Sequence, residues 1–318
     1  MIDDIERVAC VGSGLVGQSW AALLTLRGYD VVLQDLTEKK LAEAVKRIEH
    51  HIDVLVNAGL GTDPEAAKKH LTTTTSLKEA LSGADFVIES VFESLEVKCP
   101  LYAEMDELAP PEVIFSSSTS GYMMSEIGRD MKHHPERAIV AHPWNPVHLV
   151  PLVEISPSPK TSKETIDKTY RLMEDLGRVP VVLKKEASGF IANRISAALW
   201  REALNVVDQG IASVEDVDKA IMAGPGIRWA MMGPFLVYHL GGGKGGIEYI
   251  MEHIGVKKQE WLKDMAKWTE FPESVKEKAV DGVDDMVGER SLEELEAWRD
   301  KYLIALNKLL WGGEREIY

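Results

Sequence analysis

The sequence predicts an α/β domain with a doubly wound, mostly parallel sheet, followed by an all-helical domain. Three observations predict this architecture. Residues 8–17 read V-A-C-V-G-S-G-L-V-G, a glycine-rich turn on an apolar strand. Strand-like and helical segments then alternate to about residue 186, whereas the later apolar residues recur at helical spacing. A chain of 318 residues is long enough for two domains, which we place at 1–187 and 188–318.

The glycine turn predicts a dinucleotide site of the Rossmann type. Gly12 allows the tight turn, Gly14 lets a pyrophosphate approach the backbone, and Gly17 lets the following helix pack on the strand. The N–H groups that open this helix, and that face the phosphates, belong to Leu15, Val16 and Gly17. Asp35 follows at the end of the next strand. Its carboxylate accepts ribose hydroxyls and repels a 2′-phosphate, which predicts NAD rather than NADP.

The remaining elements follow from apolar patterning and turn residues. Strands are predicted at 7–11, 30–34, 85–91, 113–117, 138–141, 150–155 and 179–184. Helices are predicted at 15–26 and about 162–176, and a helical hairpin protruding from the sheet over 36–71, broken by the turn 57–64. The second half predicts helices at 188–209, 214–223, 235–240, 246–253, 258–268 and 291–310. The glycine-rich segment 241–246 does not follow a strand, so we interpret it as a helix–helix connection and not as a phosphate loop.

Composition excludes several classes of function. The net charge of −15 argues against nucleic acid or an anionic membrane surface as a partner. No apolar run reaches the ~18–20 residues that cross a bilayer, and the acidic segment 1–7 does not resemble a secretory signal. The two cysteines, Cys10 and Cys99, exclude a disulfide framework and favour a cytoplasmic location. The histidine pairs 50–51 and 133–134 lie among charged residues, so we expect no metal site.

Four further segments are predicted near the carboxyl ends of the strands, where the nicotinamide of a bound dinucleotide would lie. Ser120 ends a serine-rich loop, 116–120. His142 follows a strand and precedes two prolines, and a neutral imidazole is the natural acceptor for an alcohol proton. Glu154 lies in an apolar strand, where its carboxylate needs a partner; a pair with His142 would supply one. Asn193 lies at the start of a long helix, where its amide can hold a substrate oxygen.

Together, the serine loop, H-P-x-N-P, P-L-V-E and G-F-x-x-N-R resemble the 3-hydroxyacyl-CoA dehydrogenase superfamily over about residues 6–240. The resemblance implies that His142 is the general base, that Glu154 orients and polarises it, and that Ser120 and Asn193 contact the reacting oxygen. It also implies that Glu93 and Lys98 lie near the nicotinamide side of NAD. The implied reaction is oxidation of a 3-hydroxyl to a 3-keto group, with a homodimer formed through the helical domain.

Sequence differences from the acyl-CoA enzymes of this superfamily narrow the choice of substrate class. Those enzymes typically carry an asparagine where this chain has Ser118, and two phenylalanines where it has Pro143 and Trp144. With W-A-M-M-G-P at 229–234, these features resemble the λ-crystallin branch, which includes L-gulonate 3-dehydrogenase and is similar to L-carnitine dehydrogenase. The substrates of that branch are small free 3-hydroxy acids.

The alternatives for the substrate and for the class of protein stay open. Aromatic residues that would form a cage for a trimethylammonium group are Trp144, Trp229 and Tyr238, although the sequence favours a core role for them over the cage. Arg228 is a candidate partner for a substrate carboxylate, or part of a surface ion pair. A short-chain acyl-CoA is the alternative substrate, with Lys68 and Lys69 near a 3′-phosphate. A non-catalytic, crystallin-like NAD-binding protein is the alternative of another class.

Overall fold

The computed structural model describes residues 2 and 4–311, apart from the side chain of residue 254. The chain divides into two compact units between Ala192 and Asn193. The first unit contains the sheet, and the second is helical throughout its described residues. The fold class predicted from the sequence is confirmed.

The first unit is built on an eight-stranded sheet with strand order β3-β2-β1-β4-β5-β6-β7-β8. Neighbours from β3 to β6 pair in parallel, β7 is antiparallel to β6, and β8 is parallel to β7. In chain order the strands are β1 Arg7–Val11, β2 Asp30–Gln34, β3 Leu71–Thr74, β4 Phe86–Glu89, β5 Ile114–Ser117, β6 Ala138–Pro143, β7 Leu152–Pro157 and β8 Val179–Val182. The central strands are buried on both faces, which explains their near-continuous apolar sequences.

Seven helices connect these strands. They are α1 Leu15–Leu26, α2 Glu38–Asn57, α3 Pro64–Lys69, α4 Leu77–Leu81, α5 Leu95–Leu108, α6 Met124–Ile127 and α7 Lys163–Asp175. Several N-termini are capped by a Ser, Thr or Asp side chain: the Thr37 side chain accepts from the Lys40 N–H, and Ser162 accepts from the Thr165 N–H.

Three features of this unit differ from the expectations. Strand β3 was not predicted, because L-T-T-T is short and its side chains are half-buried or exposed. Strand β7 runs antiparallel to β6, which apolar patterning does not reveal. Helix α2 buries apolar residues along its whole length, from Leu41 to Leu55, so it packs as a core helix and does not protrude.

The second unit consists of helices. The chain enters it through α8 Ala192–Asp208, followed by α9 Val214–Ile221, α10 Ile227–Trp229, α11 Pro234–Gly241, α12 Gly246–Tyr249, α13 Gly255–Asp264, α14 Glu273–Val287 and α15 Leu292–Trp311. Helix α14 was not predicted. Segment 241–246 forms a short 3₁₀ turn, Gly243–Gly245, between α11 and α12. Within the described part of the chain, no helix combines the length and apolar character needed to cross a membrane.

Candidate active site

The sheet places the predicted site residues of the first unit at one edge. Strands β1, β2, β4, β5 and β6 run in the same direction, so their carboxyl ends lie side by side. The glycine turn follows β1, Asp35 follows β2, and the serine loop follows β5. The strand order reverses between β1 and β4, which is where ligands bind in open sheets of this kind.

The glycine turn leaves space for a bound phosphate. Gly12 has φ +100°, and a Cβ there would lie 2.6 Å from the Ser90 carbonyl oxygen. A Cβ on Gly17 would lie 2.0 Å from the Gly12 carbonyl oxygen, so α1 packs directly on the turn. A Cβ on Gly14 would meet no atom within 4 Å. The open side of the turn is therefore at Gly14, beside the N–H groups of Leu15 and Val16 that open α1. These residues fit a dinucleotide pyrophosphate.

Asp35 is held in place by the glycine turn itself. Its Oδ2 accepts from the Ser13 N–H at 3.0 Å and from the Ser13 hydroxyl at 2.7 Å. Its Oδ1 accepts from the Leu36 N–H at 2.7 Å and lies 3.4 Å from the Lys40 ammonium. Burial by itself raises the pKa of Asp35, but these hydrogen bonds outweigh it and the pKa lies below its ordinary value. Asp35 is therefore an oriented anion at the position where a ribose would bind.

A buried ion pair lies under the serine loop, and sequence reasoning missed half of it. The Lys98 ammonium lies 2.7 Å from Glu89 Oε1 and 3.2 Å from Glu93 Oε2, and both Lys98 and Glu89 are buried. The Ser117 hydroxyl donates to the other Glu89 oxygen at 2.7 Å. The sequence signal for Glu89 was a carboxylate inside the apolar run D-F-V-I-E, which needs a buried cation.

Glu93 connects this ion pair to the serine loop. Its Oε1 accepts from the Thr119 hydroxyl at 2.6 Å and from the Ser120 N–H at 2.9 Å. Burial by itself raises the pKa of Glu93. The Thr119 hydrogen bond and the Lys98 charge outweigh this effect, so the pKa lies below its ordinary value and the carboxyl stays ionised. The structure thus brings Glu93, Lys98 and Ser120 together, with the Lys98 ammonium engaged by two carboxylates.

His142 and Glu154 form a hydrogen-bonded pair. His142 lies inside β6, one residue before its end, and not after the strand as predicted. The antiparallel register of β6 and β7 places His142 directly opposite Glu154. Their Nδ1 and Oε2 atoms lie 3.0 Å apart, and both side chains are buried. Directly opposed residues share one face of a sheet, so the antiparallel direction of β7, which was not predicted, brings the pair together.

Glu154 also accepts hydrogen bonds from the chain that enters α8. Its Oε1 accepts from the Ile191 N–H at 2.7 Å and from the Ala192 N–H at 2.9 Å. Gly189 (φ +71°) and Phe190 (φ +50°) are both left-handed, which turns these two N–H groups toward one oxygen. The buried Phe190 ring lies 5.0 Å from the imidazole ring of His142. The sequence predicts a helix from residue 188, whereas Phe190 is left-handed and precedes α8; a strained aromatic residue marks a constrained site.

The ionised state of Glu154 should contribute to stability in a pH-dependent way. Burial raises its pKa, but the hydrogen bonds from His142 and from the Ala192 and Ile191 N–H groups outweigh burial, so the folded pKa lies below the unfolded value of about 4.3. This contribution is complete above the unfolded pKa and is lost as the pH falls through the folded pKa. The difference in unfolding free energy between wild type and Glu154→Gln should therefore be largest near neutral pH and shrink below about pH 4.

Urea unfolding at a series of pH values measures this difference. Glu112→Gln, at an exposed position, is the matched control and should give a small difference throughout. A Glu154→Gln difference that stays constant from neutral to acid pH would contradict the assignment of Glu154 as an ionised hydrogen-bond acceptor.

The remaining predicted residues belong to two places. Trp144 lies in the first unit, half-buried, and its indole N–H donates to Glu154 Oε2 at 3.3 Å. The other four predicted residues lie in the second unit. Asn193 is the second residue of α8, Arg228 and Trp229 lie on α10, and Tyr238 lies on α11. The Lys258 ammonium lies over the Tyr238 ring, 3.5 Å from its centroid.

Comparison with known proteins defines the family. Residues 7–187 match the 3-hydroxyacyl-CoA dehydrogenase, NAD binding domain, and residues 189–282 match the C-terminal domain of the same family. An L-carnitine dehydrogenase from Oceanobacillus iheyensis is 39% identical over 307 residues, covering 96% of this chain and 98% of that protein. One from Pseudomonas aeruginosa is 38% identical over 310 residues, covering 96% of this chain and 94% of that protein.

Solved structures agree with the family assignment. An NAD⁺-dependent 5-formyl-3-hydroxy-2-methylpyridine 4-carboxylic acid 5-dehydrogenase superposes with a TM-score of 0.83 at 26% identity, covering 98% of this chain and all of that one. The 3-hydroxybutyryl-CoA dehydrogenase of Escherichia coli superposes with a TM-score of 0.69 at 28% identity, covering 87% of this chain and 57% of that one.

The fold, the glycine turn and these comparisons define an NAD-dependent oxidoreductase that acts on a CH–OH group. The chain belongs to the 3-hydroxyacyl-CoA dehydrogenase family. The family and the cofactor predicted from the sequence are both confirmed.

The geometry at Asp35 predicts how cofactor choice would change. Asp35→Asn removes the charge that we expect to bind ribose hydroxyls and to exclude a 2′-phosphate, and it frees Lys40. We expect NAD affinity to fall about tenfold, since hydrogen bonds to charged groups contribute ~1.5–3 kcal/mol, while NADP binds more tightly than to wild type. Fluorescence titration with NADH and NADPH measures both affinities. Asp30→Asn, at the other end of the same strand, is the control, and an unchanged NADH-to-NADPH ratio in Asp35→Asn would contradict this role.

Proposed function

We propose that this enzyme oxidises the 3-hydroxyl of L-carnitine, or of a similar small 3-hydroxy acid such as L-gulonate, to the 3-keto acid. The observation that carries the proposal is the 3.0 Å contact between His142 Nδ1 and Glu154 Oε2. It supplies a general base within the same unit as the dinucleotide turn. Full-length similarity to L-carnitine dehydrogenases supports the choice of substrate.

His142 acts as the general base in this proposal. A neutral imidazole that donates from Nδ1 to Glu154 keeps its lone pair on Nε2, and Nε2 takes the proton of the substrate hydroxyl. NAD, when bound, would supply the hydride acceptor for the carbon that carries this hydroxyl. Glu154 then stabilises the imidazolium, and its other hydrogen bonds keep it ionised and in one orientation.

Ser120 and Asn193 complete the set of polar groups in the proposal. Ser120 contacts the substrate hydroxyl, and its loop is fixed by the hydrogen bonds of Glu93 to Thr119 and Ser120. Asn193 positions the reacting oxygen from the first turn of α8. Glu154 accepts from the N–H of Ala192, so the same side chain contacts the base and the residue that precedes Asn193 in sequence.

We propose that three exposed apolar side chains contribute to cofactor binding; sequence reasoning selected Leu15 for its N–H group only, and did not select Leu36 or Phe92. Large apolar side chains are exposed at the carboxyl ends of the strands, next to the glycine turn and Asp35. Leu15 is 68% exposed, Leu36 is 80% exposed and Phe92 is 77% exposed. We assign them to packing against the bound dinucleotide, since large apolar groups gain free energy when covered. Their sequence signal was an apolar residue directly after a strand end or a glycine turn.

The two cations proposed for a CoA 3′-phosphate, Lys68 and Lys69, differ in the structure. Lys69 is exposed, whereas contacts of Lys68 favour a free acid over an acyl-CoA thioester. The Lys68 ammonium is engaged by Glu65 at 2.9 Å and by Asp53 at 3.1 Å. The hydrogen bonds to Glu65 and Asp53 raise the Lys68 pKa, as expected for an ammonium held between two carboxylates.

The trimethylammonium cage and the carboxylate partner remain proposals. Trp229 and Tyr238 are both about two-fifths exposed, as surface aromatic residues that contact a ligand would be. The Lys258 ammonium occupies one face of the Tyr238 ring. A substrate cation would therefore use the other face or displace Lys258. Arg228 is exposed and stays the candidate for the substrate carboxylate.

We also propose a homodimer formed through the second unit. Its helices expose large apolar residues at a density that is unusual for a free surface. On α8 these are Ile195, Leu199 and Trp200, and on α15 they include Trp298, Tyr302 and Leu309. Analytical ultracentrifugation tests the dimer.

We also propose a reducing, cytoplasmic location. It is supported by two buried free thiols, and burial raises the pKa of Cys10 to about 12.

A substrate panel tests the proposed function. NADH formation is followed with L-carnitine, L-gulonate, 3-hydroxybutyrate and 3-hydroxybutyryl-CoA. We expect turnover with L-carnitine above the other substrates. Highest turnover with the thioester would move the assignment to a short-chain acyl-CoA. NAD binding without turnover of any of the four would overturn the proposed substrate class and would favour a non-catalytic role.

A further inference from the structure

We propose that Trp144 is a positioning residue that tunes the base through Glu154. Its indole N–H shares with His142 the carboxylate oxygen Oε2, at 3.3 Å and 3.0 Å respectively. The proposal rests on the assignment of His142 as the base, and it gives Trp144 a function that does not depend on which substrate is bound.

The hydrogen-bonding capacity of Glu154 is fully used. An ionised carboxylate offers about four lone-pair positions. Two are taken at Oε1 by the Ile191 and Ala192 N–H groups, and two at Oε2 by His142 and Trp144. The carboxylate is only 1% exposed. Each donor therefore draws on the same buried negative charge, and the indole N–H reduces what Oε2 offers to the imidazole.

The surroundings of the imidazole fix the sign of the effect. Glu154 on β7 is the ionisable group in contact with it, whereas Phe190 and Trp144 contribute uncharged rings at 5.0 and 6.4 Å. The neighbouring strand β5, I-F-S-S, carries no ionisable side chain. Without the indole N–H, Oε2 would stabilise the imidazolium more strongly, so His142 would become protonated at a higher pH.

Trp144→Phe tests this, because it keeps an aromatic ring and removes the donor. For oxidation, the acid limb of the kcat/KM profile should move upward by roughly 0.5–1 pH unit. Reduction of the 3-keto acid needs the imidazolium, so the alkaline limb of its kcat/KM profile should also move to higher pH. KM for L-carnitine and for 3-hydroxybutyrate should change little. Trp20→Phe, which loses an indole N–H donated to the Ser118 hydroxyl at 3.1 Å, is the matched control and should leave both limbs in place.

NMR provides a readout without substrate. The titration midpoint of the His142 imidazole, identified by its absence in His142→Ala, should rise in Trp144→Phe without any ligand. A second measurement does not need the Trp144→Phe variant, and so serves if that variant fails to fold. The Trp144 indole N–H resonance should shift between wild type and Glu154→Gln. Because neither measurement needs turnover, failure of the substrate panel would leave this proposal testable.

Three results would overturn the proposal. The first is an acid limb and an NMR midpoint that stay in place or move downward in Trp144→Phe. The second is a KM increase confined to L-carnitine with both limbs unmoved, which would make Trp144 a contact for the trimethylammonium group. The third is an indole resonance that does not respond to Glu154→Gln.

Discussion

His142→Ala should reduce NAD-dependent oxidation about 10²–10⁴-fold, the range over which a general base contributes to catalysis. The imidazole is the base of the proposed mechanism, and its partner Glu154 cannot replace it, because that carboxylate is buried and saturated with hydrogen bonds. NAD affinity should be unchanged, since the glycine turn and Asp35 lie on other strands. Single-turnover NADH formation and NADH fluorescence titration measure the two quantities separately.

Chemical rescue sharpens this test. Added imidazole should restore part of the activity of His142→Ala, because the substitution leaves space beside Glu154. His134→Ala, at a histidine that is about two-fifths exposed, is the control and should retain full activity. Loss of NAD binding together with turnover would mean that His142 supports the fold or the cofactor site and not the proton transfer.

Lys98→Met should destabilise the protein by about 3–5 kcal/mol, because it leaves the buried Glu89 carboxylate without its cation. The second partner of Lys98, Glu93, is partly exposed and keeps its hydrogen bonds from Thr119 and Ser120. Urea unfolding near neutral pH measures the loss. The variant should bind NAD once folded, since the Lys98 ammonium is held within the protein.

A double-mutant cycle separates the ion pair from packing. Glu89→Gln combined with Lys98→Met should recover much of the lost stability, because no uncompensated buried charge remains. Lys78→Met, at an exposed position of α4, should change stability little. A folded Lys98→Met chain of wild-type stability that fails to bind NAD would show that Lys98 contacts the cofactor directly, as the family resemblance implied.

Much of the first unit could be predicted because its signals are local. The glycine spacing and Asp35 predicted an NAD site, and apolar runs predicted all the buried strands. Two strands escaped correct description for different reasons. Strand β3, L-T-T-T, has no apolar face, since it is not buried like its neighbours. Strand β7 is apolar, but the direction in which a strand pairs leaves no trace in its own composition.

The candidate site shows the same division. Glu154 was predicted as a partner of His142 because a buried carboxylate needs one. Glu89 posed the same demand and was missed, because its cation, Lys98, lies on helix α5 and not on a neighbouring strand. The roles of Phe190 and Trp144 at Glu154 depend on a left-handed turn and on a shared oxygen. No periodicity or spacing encodes those features.

The sequence by itself determined the cofactor, the family and the residue types of the chemistry, because glycine spacing and short motifs are local constraints on backbone and charge. The tertiary structure decided which groups meet. Antiparallel pairing of β6 and β7 sets His142 opposite Glu154, and two left-handed residues direct the start of α8 to the same carboxylate. Contacts of this kind arise from the register and direction of segments distant in sequence, which only the folded chain fixes.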